Sequence, residues 1–341
     1  MKKYLLPEKG NFYKANLHCH TTISDGKLTP EEVKALYMKH GYSVVAFTDH
    51  DILIPHQELK DEHFLPLNGY EVEVNEPSNG REFKHIKTCH MCFVALDPDN
   101  LKQVCWHKDK YLFGNAPGYI DKSVHDDDEN YIREYSHEGV NDMIRKAREN
   151  GFFVTYNHPR WSLEEYPDYM GYEGMNAMEI ANYGCIVAGF PEYNPQIYDD
   201  ILRSGKRIFC IGADDNHNDF EIDGPYMDSC GAFTVIKAEK LEYRDITRAL
   251  EQGHFYASQG PEIKELWYED GNLFVKTSPA RKITFSFGSR KAMSFYGTDE
   301  DPITEASLAI PSDSGFVRVT VLDEHGLPAN TNAYFTDELE R

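Results

Sequence analysis

No stretch of the 341-residue chain approaches the ~20 consecutive apolar residues that a membrane-spanning helix needs. Met1-Lys-Lys-Tyr-Leu-Leu-Pro7 starts basic, but no apolar stretch of signal-peptide length follows, so a cytoplasmic protein with no membrane partner is expected. Positive charge is scarce: 35 Lys and Arg stand against 57 Asp and Glu, a formal net charge of −22. Such a surface repels a phosphate backbone and argues against a long nucleic-acid partner, although part of the acidity serves solubility. A nucleotide or short oligonucleotide held through bound cations stays open, because such ions invert the local field. No disulfide or zinc-ribbon framework is evident either. Cys19, Cys105, Cys185, Cys210 and Cys230 are scattered, and Cys89-His-Met-Cys92 lacks a second CxxC. If that motif lies within a strand, its thiols point to opposite faces. Buried thiols are then one reading, and a redox or zinc role the other. Internal repeats and low-complexity segments are also missing.

What is present suits a packed globular protein: 40% hydrophobic residues, 13% aromatics, and a length for one large domain or one large plus one small. Strands alternate with helices over the first 260 residues. The pattern predicts strands at 15–20, 43–48, 67–74, 88–96, 152–156, 175–181, 207–212, 232–238 and 254–258, with helices over 30–40, 138–150, 195–204 and 241–252. The first helix is the best marked, with Thr29 as N-cap, Pro30 in the first turn, Glu32 completing a capping box and Gly41 past the end. This alternation predicts a parallel sheet, closed or nearly so, with helices outside. Residues 97–136 are polar and rich in Asp, His and Tyr; they read as an insertion or lid, or as a plain surface excursion. From about 262 the texture changes to short alternating strands at 263–269, 273–277, 282–287, 316–322 and 332–335. That predicts a small all-β appendage, residues 262–341, after a main domain of residues 1–261.

The richest stretch is Asn16-Leu-His-Cys-His-Thr-Thr-Ile-Ser-Asp-Gly26, echoed by Thr48-Asp-His-Asp51. His18 and His20 stand two apart on a predicted strand, so both rings project from one face. Asp25 follows on a Ser-Asp-Gly turn, and Asp49 and His50 close the next strand. Glu71 follows Gly69-Tyr70, His158 follows the fifth strand in Tyr156-Asn-His-Pro-Arg160, and Asp214-Asp-Asn-His217 follows the seventh. In a parallel β/α barrel these strand ends open onto one face, where catalytic groups collect. Histidines used only for packing have no reason to prefer one rim. Only His90 sits near the start of its strand.

The ordered set HxH, Ser-Asp-Gly, Thr-Asp-His, Gly-x-Glu, isolated His, His-Pro and Asp-x-His resembles the PHP (polymerase and histidinol phosphatase) family over residues 12–260. The resemblance implies a distorted seven-stranded β/α barrel, two or three divalent metals and phosphoester hydrolysis. By the same resemblance His18, His20, Glu71 and Asp215 hold a first metal. Glu71 bridges to a second on His90 and His158, and Asp25, His50 and His217 bind a third. Asp214 competes with Asp215, whose i, i+2 spacing to His217 favours it; His85 competes with His90, which leads into Phe93-Val-Ala-Leu96. Ser24-Asp25-Gly26 resembles the general phosphoesterase and exonuclease branch rather than the histidinol-phosphatase branch. The appendage resembles the β extension of some bacterial PHP metallohydrolases; a carbohydrate or partner binder, a dimer surface and a lid all stay open for it.

Imidazole and carboxylate ligands together suit Zn, Mn or Fe(II) better than Ca. Ions held by a shared carboxylate act on one phosphoryl group with a water of pKa near ~7, so no serine or cysteine nucleophile is needed. Thr21 and Thr22 read as turn hydrogen bonders. Asp49 is expected to orient His20 or His50, as ligating histidines require. Arg160 is a phosphate clamp or an ordinary surface arginine; Asn157, Lys87 and His254 are further candidates, and Glu179 and Asn182 end strand six on the same rim. The expectation is a metal-dependent phosphoesterase on a small phosphorylated substrate. A hydrolase of a non-phosphate ester, carbamate or amide, and a partner-binding module with a degenerate site, are the alternatives.

Overall fold

The computed structural model describes residues 2–128 and 130–339. The chain opens with β1 (Lys3–Tyr4) and β2 (Asn11–Asn16), then α1 (Pro30–Lys39), β3 (Val44–Phe47), β4 (Leu65–Asn75) and β5 (Thr88–Ala95). A two-residue pair follows, β6 (Lys102–Gln103) with β7 (Val124–His125), before α2 (His137–Glu149), β8 (Phe152–Tyr156) and α3 (Tyr166–Met170). Next come β9 (Ala177–Asn182), α4 (Tyr183–Val187), α5 (Pro195–Arg203), β10 (Phe209–Ala213), β11 (Phe233–Ala238), α6 (Tyr243–Gln252) and β12 (Phe255–Ser258). The rest is β13 (Ile263–Glu269), β14 (Asn272–Ala280), β15 (Lys282–Phe287), β16 (Ala292–Tyr296), β17 (Ile303–Ala309) and β18 (Phe316–Leu322). It ends in β19 (Pro328–Thr331), β20 (Tyr334–Phe335) and a single turn, α7 (Thr336–Leu339).

Local signals hold where they were strongest. At α1 the Thr29 side chain accepts the Glu32 N–H and the Glu32 carboxylate accepts the Thr29 N–H, the reciprocal box expected from the sequence. The first predicted strand has the expected six residues but lies four positions earlier, at Asn11–Asn16 rather than 15–20. It ends at Asn16, and Leu17–His20 continue as an extended segment outside the ladder.

One large sheet runs in the order β10-β9-β8-β5-β4-β3-β2-β11-β12-β19-β18-β15-β16, with β20 on β18. The expectation of a distorted seven-stranded barrel, closed or nearly so, is corrected as to closure, because the path is open and β10 has no ladder to β11 among the described residues. Side chains occupy the positions a ladder would use. Asn332 Oδ1 accepts the Cys210 N–H, and Thr234 Oγ1 donates to the Gly212 carbonyl. Past the strand ends a parallel bridge joins Cys19 to Asn216.

Strand direction is mixed as well. The β2–β3, β3–β4, β8–β9 and β9–β10 pairs are parallel, but β5 runs antiparallel to both β4 and β8, and β11 antiparallel to β2. The reversed β5 matters most for the site: its N-terminal end lies at the same rim as the C-terminal ends of its neighbours.

The base of the 97–136 segment is packed into the protein. Val104, Cys105, Trp106 and Tyr131 are buried, and the Tyr70 hydroxyl and Val104 backbone exchange two hydrogen bonds. Arg133, buried, donates to Asp51 Oδ1 at 2.5 Å and to the carbonyls of Cys105 and Glu73. Farther out, the Asn115 N–H and side chain donate to the Ser24 and Thr22 carbonyls. Gly114 sits between them at φ +56, where a Cβ would fall 2.3 Å from the Ser24 carbonyl oxygen, so only glycine fits.

Beyond β12 the predicted alternation is visible directly: β14 and β15 point every second residue inward. A four-stranded sheet, β1-β13-β14-β17, faces the far end of the large sheet across Leu266, Val275, Ile283, Phe285, Val319 and Val321. Strands β16 and β17 escaped the sequence reading because neither has a wholly buried face. Pairing of β12 with β19 carries the sheet across residue 261. Arg318 on β18 clamps Asp199 of α5 with two bonds of 2.7 and 3.1 Å.

Candidate metal centre

All nine residues predicted as ligands meet at one rim. Three groups of four, four and three residues bring potential ligand atoms within 4.8 Å of one another: His20, Asp25, His50 and His217; His18, Glu71, His158 and Asp215; and His50, Glu71 and His90. The resemblance implied a second way of dividing the same nine residues. The contacts fit both: His20 Nε2 reaches Glu71 and Asp215 as well as standing with Asp25, His50 and His217, and His158 and His90 both reach Glu71 Oε1.

Each arrives by a local rule. His18 and His20 alternate with buried Leu17 and Cys19, so their rings share one side of the extended segment. Glu71 and Glu73 lie two apart on β4 and face the same side. Antiparallel pairing sets His90 directly opposite Glu73, which explains a histidine at the start of a strand. His158 and Asp215 adopt φ of +24° and +53°, left-handed values that non-glycine residues rarely hold, and such strain concentrates where function fixes the backbone.

The distances suit coordination. His18 Nε2 lies 3.1 Å from Glu71 Oε1 and 3.2 Å from Asp215 Oδ1; His20 Nε2 lies 3.0 Å from the same Asp215 oxygen. His90 Nδ1 and His158 Nε2 are each 3.3 Å from Glu71 Oε1, and His50 Nδ1 is 3.3 Å from Glu71 Oε2. His217 Nε2 is 3.2 Å from Asp25 Oδ2. Metal–ligand bonds of roughly 2.0–2.2 Å put neighbouring ligand atoms about 3.0–3.5 Å apart.

Burial works to keep His18 and His20 neutral, but Asp215 and Glu71 overcome it and raise both rings well above the ordinary imidazole range. His90 rises to about 10, against burial, through Glu71 and Glu73. The carboxyls of Glu71 and Asp215 are held down in return, Glu71 chiefly by His18 and His90 and Asp215 by His18 and His20, again against burial. His50 falls to about 3 because it is buried and close to His20. The cluster thus holds ionised carboxylates among imidazoles, and buried polar atoms remain without hydrogen-bond partners: His20 Nδ1, Glu71 Oε2 and both ring nitrogens of His90. Unpartnered buried groups cost about 1–3 kcal/mol each. Together with the donor set they fit divalent cations, for which the imidazoles give up their protons.

Supporting contacts fix the ligands from behind. Glu179 Oε1 accepts from His18 Nδ1 at 2.7 Å, which turns His18 Nε2 inward, while Glu179 Oε2 accepts the His158 N–H and the Asn182 side chain. Asn157 donates to Glu71 Oε1 at 2.8 Å. Glu179, Asn182 and Asn157 carried only a weak signal in sequence, their place at strand ends.

Other expectations meet different geometry. Asp49 contacts neither His20 nor His50. Its carboxylate accepts from the backbone N–H and hydroxyl of both Thr21 and Ser24, pinning the loop that carries Asp25. Asp214 turns away and accepts the N–H groups of Cys230, Gly231 and Ala232, leaving Asp215 in the cluster. Arg160 is exposed and does not line the cavity above the ligands, because its turn sends Trp161 inward instead. Lys87 is engaged by Asp168 at 2.6 Å, His85 is exposed, and His254 lines a separate cavity. All seven cysteines are unpaired, with Cys92 Sγ 3.2 Å from Asn157 Nδ2.

The cavity above the ligands measures about 510 Å³. Asp25, His50, Glu71, His90, His158, Asp215 and His217 lie along it, and its aromatic residues, Phe83, Phe113, Trp161 and Phe220, went unsignalled in the sequence. No described helix is long and apolar enough to cross a membrane.

Among solved structures, the chain is similar to a two-domain protein from Bacteroides vulgatus ATCC 8482 containing a predicted PHP-like metal-dependent phosphoesterase. That match has 15% identity, a TM-score of 0.44, and covers 97% of this chain and 98% of that one. A Bifidobacterium adolescentis ATCC 15703 protein described as a metal-dependent phosphoesterase matches at 16% identity and TM-score 0.37, over 64% of this chain and 91% of that one. An amidohydrolase from Chromobacterium violaceum, solved with bound sulfate and no metal, matches at 17% identity and TM-score 0.35, over 71% and 96%. No curated protein matches the chain. The PHP domain model matches residues 16–272, the span that carries all nine candidate ligands, and the chain belongs to the PHP domain family.

Proposed function

We propose that the protein is a metal-dependent phosphoesterase acting on a small phosphomonoester, nucleotide or short oligonucleotide. The observation that carries this reading is the convergence of three ligand groups, linked through Glu71 and His50, along one wall of a cavity of about 510 Å³. His18, His20, Glu71 and Asp215 would hold one ion, Glu71, His90 and His158 a second, and Asp25, His50 and His217 a third. The contacts of His20 with Asp215, of His90 and His158 with Glu71, and of His217 with Asp25 support this assignment. Mixed imidazole and carboxylate donors favour Zn, Mn or Fe(II). Such ions supply a water acidified toward pKa ~7 and compensation of phosphoryl charge.

The chain's own residues do the rest. Glu71, steadied by Asn157, is the carboxylate common to two groups. Glu179 fixes the tautomer of His18 and the backbone of His158, and Asp49 holds the Asp25 loop against its neighbour. The net charge of −22 supports a small substrate over a long nucleic acid. Seven unpaired thiols support a reducing, cytoplasmic setting.

One observation favours a second reading, hydrolysis of a non-phosphate ester, carbamate or amide: no Lys or Arg lines the cavity among the described residues. Manganese-dependent turnover of a phosphomonoester, a phosphodiester and a carboxylic ester chromogen separates the two. Phosphate-ester turnover abolished by chelator is the expected result. Activity on the carboxylic ester alone would replace the first reading by the second.

A further inference from the structure

Four aromatic side chains wall the cavity outside the ligand cluster, and the cluster does not need them. Trp161 stands edge-on to His90 and His158, with ring centroids 5.3 and 5.1 Å away, and Phe83 lies 6.4 Å beyond it. Phe113 meets His50 edge-to-face at 5.5 Å, and Phe220 follows the loop that carries His217. Phe83, Phe113 and Phe220 come from three separate loops, yet all line the same cavity, and they are 51%, 53% and 48% exposed. Half-exposed rings gathered around one concavity mark the seat of an apolar ligand group. Phe113 is held in place in advance: the Asn115 N–H donates to the Ser24 carbonyl at 2.7 Å, and Gly114 fits only because it has no side chain.

The charge on the same walls is one-sided. Beyond the ligands they add Glu73, Asp219 and Asp228. Of the nearby cations, Lys27 pairs with Asp219 of the wall itself at 3.4 Å, Lys87 is bound to Asp168, and Arg133 is bound to Asp51 behind the site. No Lys or Arg lines the cavity among the described residues, so negative charge on a substrate is met chiefly at the ligand cluster. A second phosphate or a carboxylate farther out would face Glu73, Asp219 and Asp228, of which only Asp219 has a lysine or arginine within 4 Å among the described residues.

We infer that the substrate is a phosphate ester of a flat, uncharged aromatic alcohol carrying a single phosphoryl group, with its ring seated among Phe83, Phe113, Trp161 and Phe220. This rests on the phosphoesterase reading and narrows it. Water adds its oxygen to phosphorus, the bond from phosphorus to the alcohol oxygen breaks, and that oxygen leaves with a proton; the products are inorganic phosphate and the aromatic alcohol. Sugar phosphates, pyrophosphates and esters with a second anion are selected against.

The test compares benzyl, ethyl and 4-carboxybenzyl phosphate with the manganese-loaded full chain; benzyl and ethyl alcohol are similar leaving groups, so their difference reports the wall. Expected are a kcat/KM for benzyl phosphate about 30-fold above ethyl phosphate and about 10-fold above the carboxylated ester. F113A and F220A should each lower the benzyl-to-ethyl ratio about five-fold, mostly through KM. Independently of turnover, benzylphosphonate should bind about 10-fold tighter than methylphosphonate by calorimetry. Turnover of both esters at similar kcat/KM, with equal phosphonate affinities, overturns the aromatic occupant and leaves the phosphoesterase reading standing. Turnover of none of the esters overturns that reading and this inference with it. A changed sedimentation mass in F113A or F220A with an unchanged ratio assigns the rings to a contact between copies, and the inference fails.

Discussion

Around the rim of β2–β10 the most deeply buried side chains include His18, His20, Glu71 and Glu179, each at most 1% exposed. In β13–β18 the equivalent depth belongs to Leu266, Val275, Ile283, Phe285 and Val319. The second region is held together by apolar area and needs nothing bound. The first surrounds charge that its own side chains leave partly unpartnered, along with left-handed backbone at His158 and Asp215. Free energy is thus stored where chemistry is expected and recovered in the sandwich and helices, the usual division between a functional site and its scaffold.

The comparison can be broken hardest at Glu71. Glu71→Ala should lower turnover by more than about 100-fold, beyond what loss of an outer supporting partner costs. Metal content per chain should fall while circular dichroism stays native; retained activity would remove Glu71 from the ligand set. On the other side, Phe285→Ala should cost about 3–5 kcal/mol of stability by denaturant titration, with metal content per folded chain unchanged. A loss of metal in that variant would show that the two regions are not energetically distinct. Arg318→Ala tests their junction. It removes the closest partner of Asp199 and should cost about 3 kcal/mol, at the low end for a broken buried pair because Asp199 keeps some solvent contact and Arg203 at 3.7 Å.

Subtler effects sharpen the contrast. Glu179→Gln should weaken metal binding about 10- to 100-fold, since His18 loses the acceptor that sets its tautomer. Competition with a chelator measures this, and unchanged affinity would make Glu179 purely structural. The smallest effect is on pH dependence. Glu164 is buried with its carboxylate accepting from Tyr135, Tyr156 and Tyr172, and burial still lifts it from 4.5 to about 7. The folded state then holds a proton that the unfolded chain releases, so this group's contribution is full below about pH 4.5 and is lost as pH rises through 7. The slope is at most ~1.4 kcal/mol per pH unit. Glu164→Gln should flatten the stability profile between those values; an unaltered slope would assign the proton elsewhere.

Much of the centre was legible because metal ligation demands rare residue types at short spacing. Two histidines two apart, Asp25 on its turn, and Asp49 and His50 after an apolar strand can be read without a fold. Helices α1, α2, α5 and α6 were legible for a related reason, since caps and periodicity act within a turn or two. Strands β16, β17 and β19 were not, because edge strands and short polar ladders leave no alternating apolar face. Asp49 holds the Asp25 loop instead of a ligating histidine, and Arg160 takes the surface position the sequence left open: adjacency to a ligand in sequence says nothing about which way the next side chain turns.

The sequence by itself determined the kind of chemistry, since residue identity sets which atoms can bind a cation and composition sets the sign of the surface. It also determined the all-β texture after residue 262, because period-two patterning is a property of the chain. Only the tertiary structure decided that the sheet stays open rather than closing as a barrel, that β5 runs backwards and so brings His90 to the rim, and that Asp215 rather than Asp214 faces the site. It alone gathered Phe83, Phe113, Trp161 and Phe220 around one cavity. Those outcomes depend on contacts between residues tens to hundreds of positions apart, such as Asn332 with Cys210 and Asn115 with Ser24, whose free energies exist only once both partners are in place.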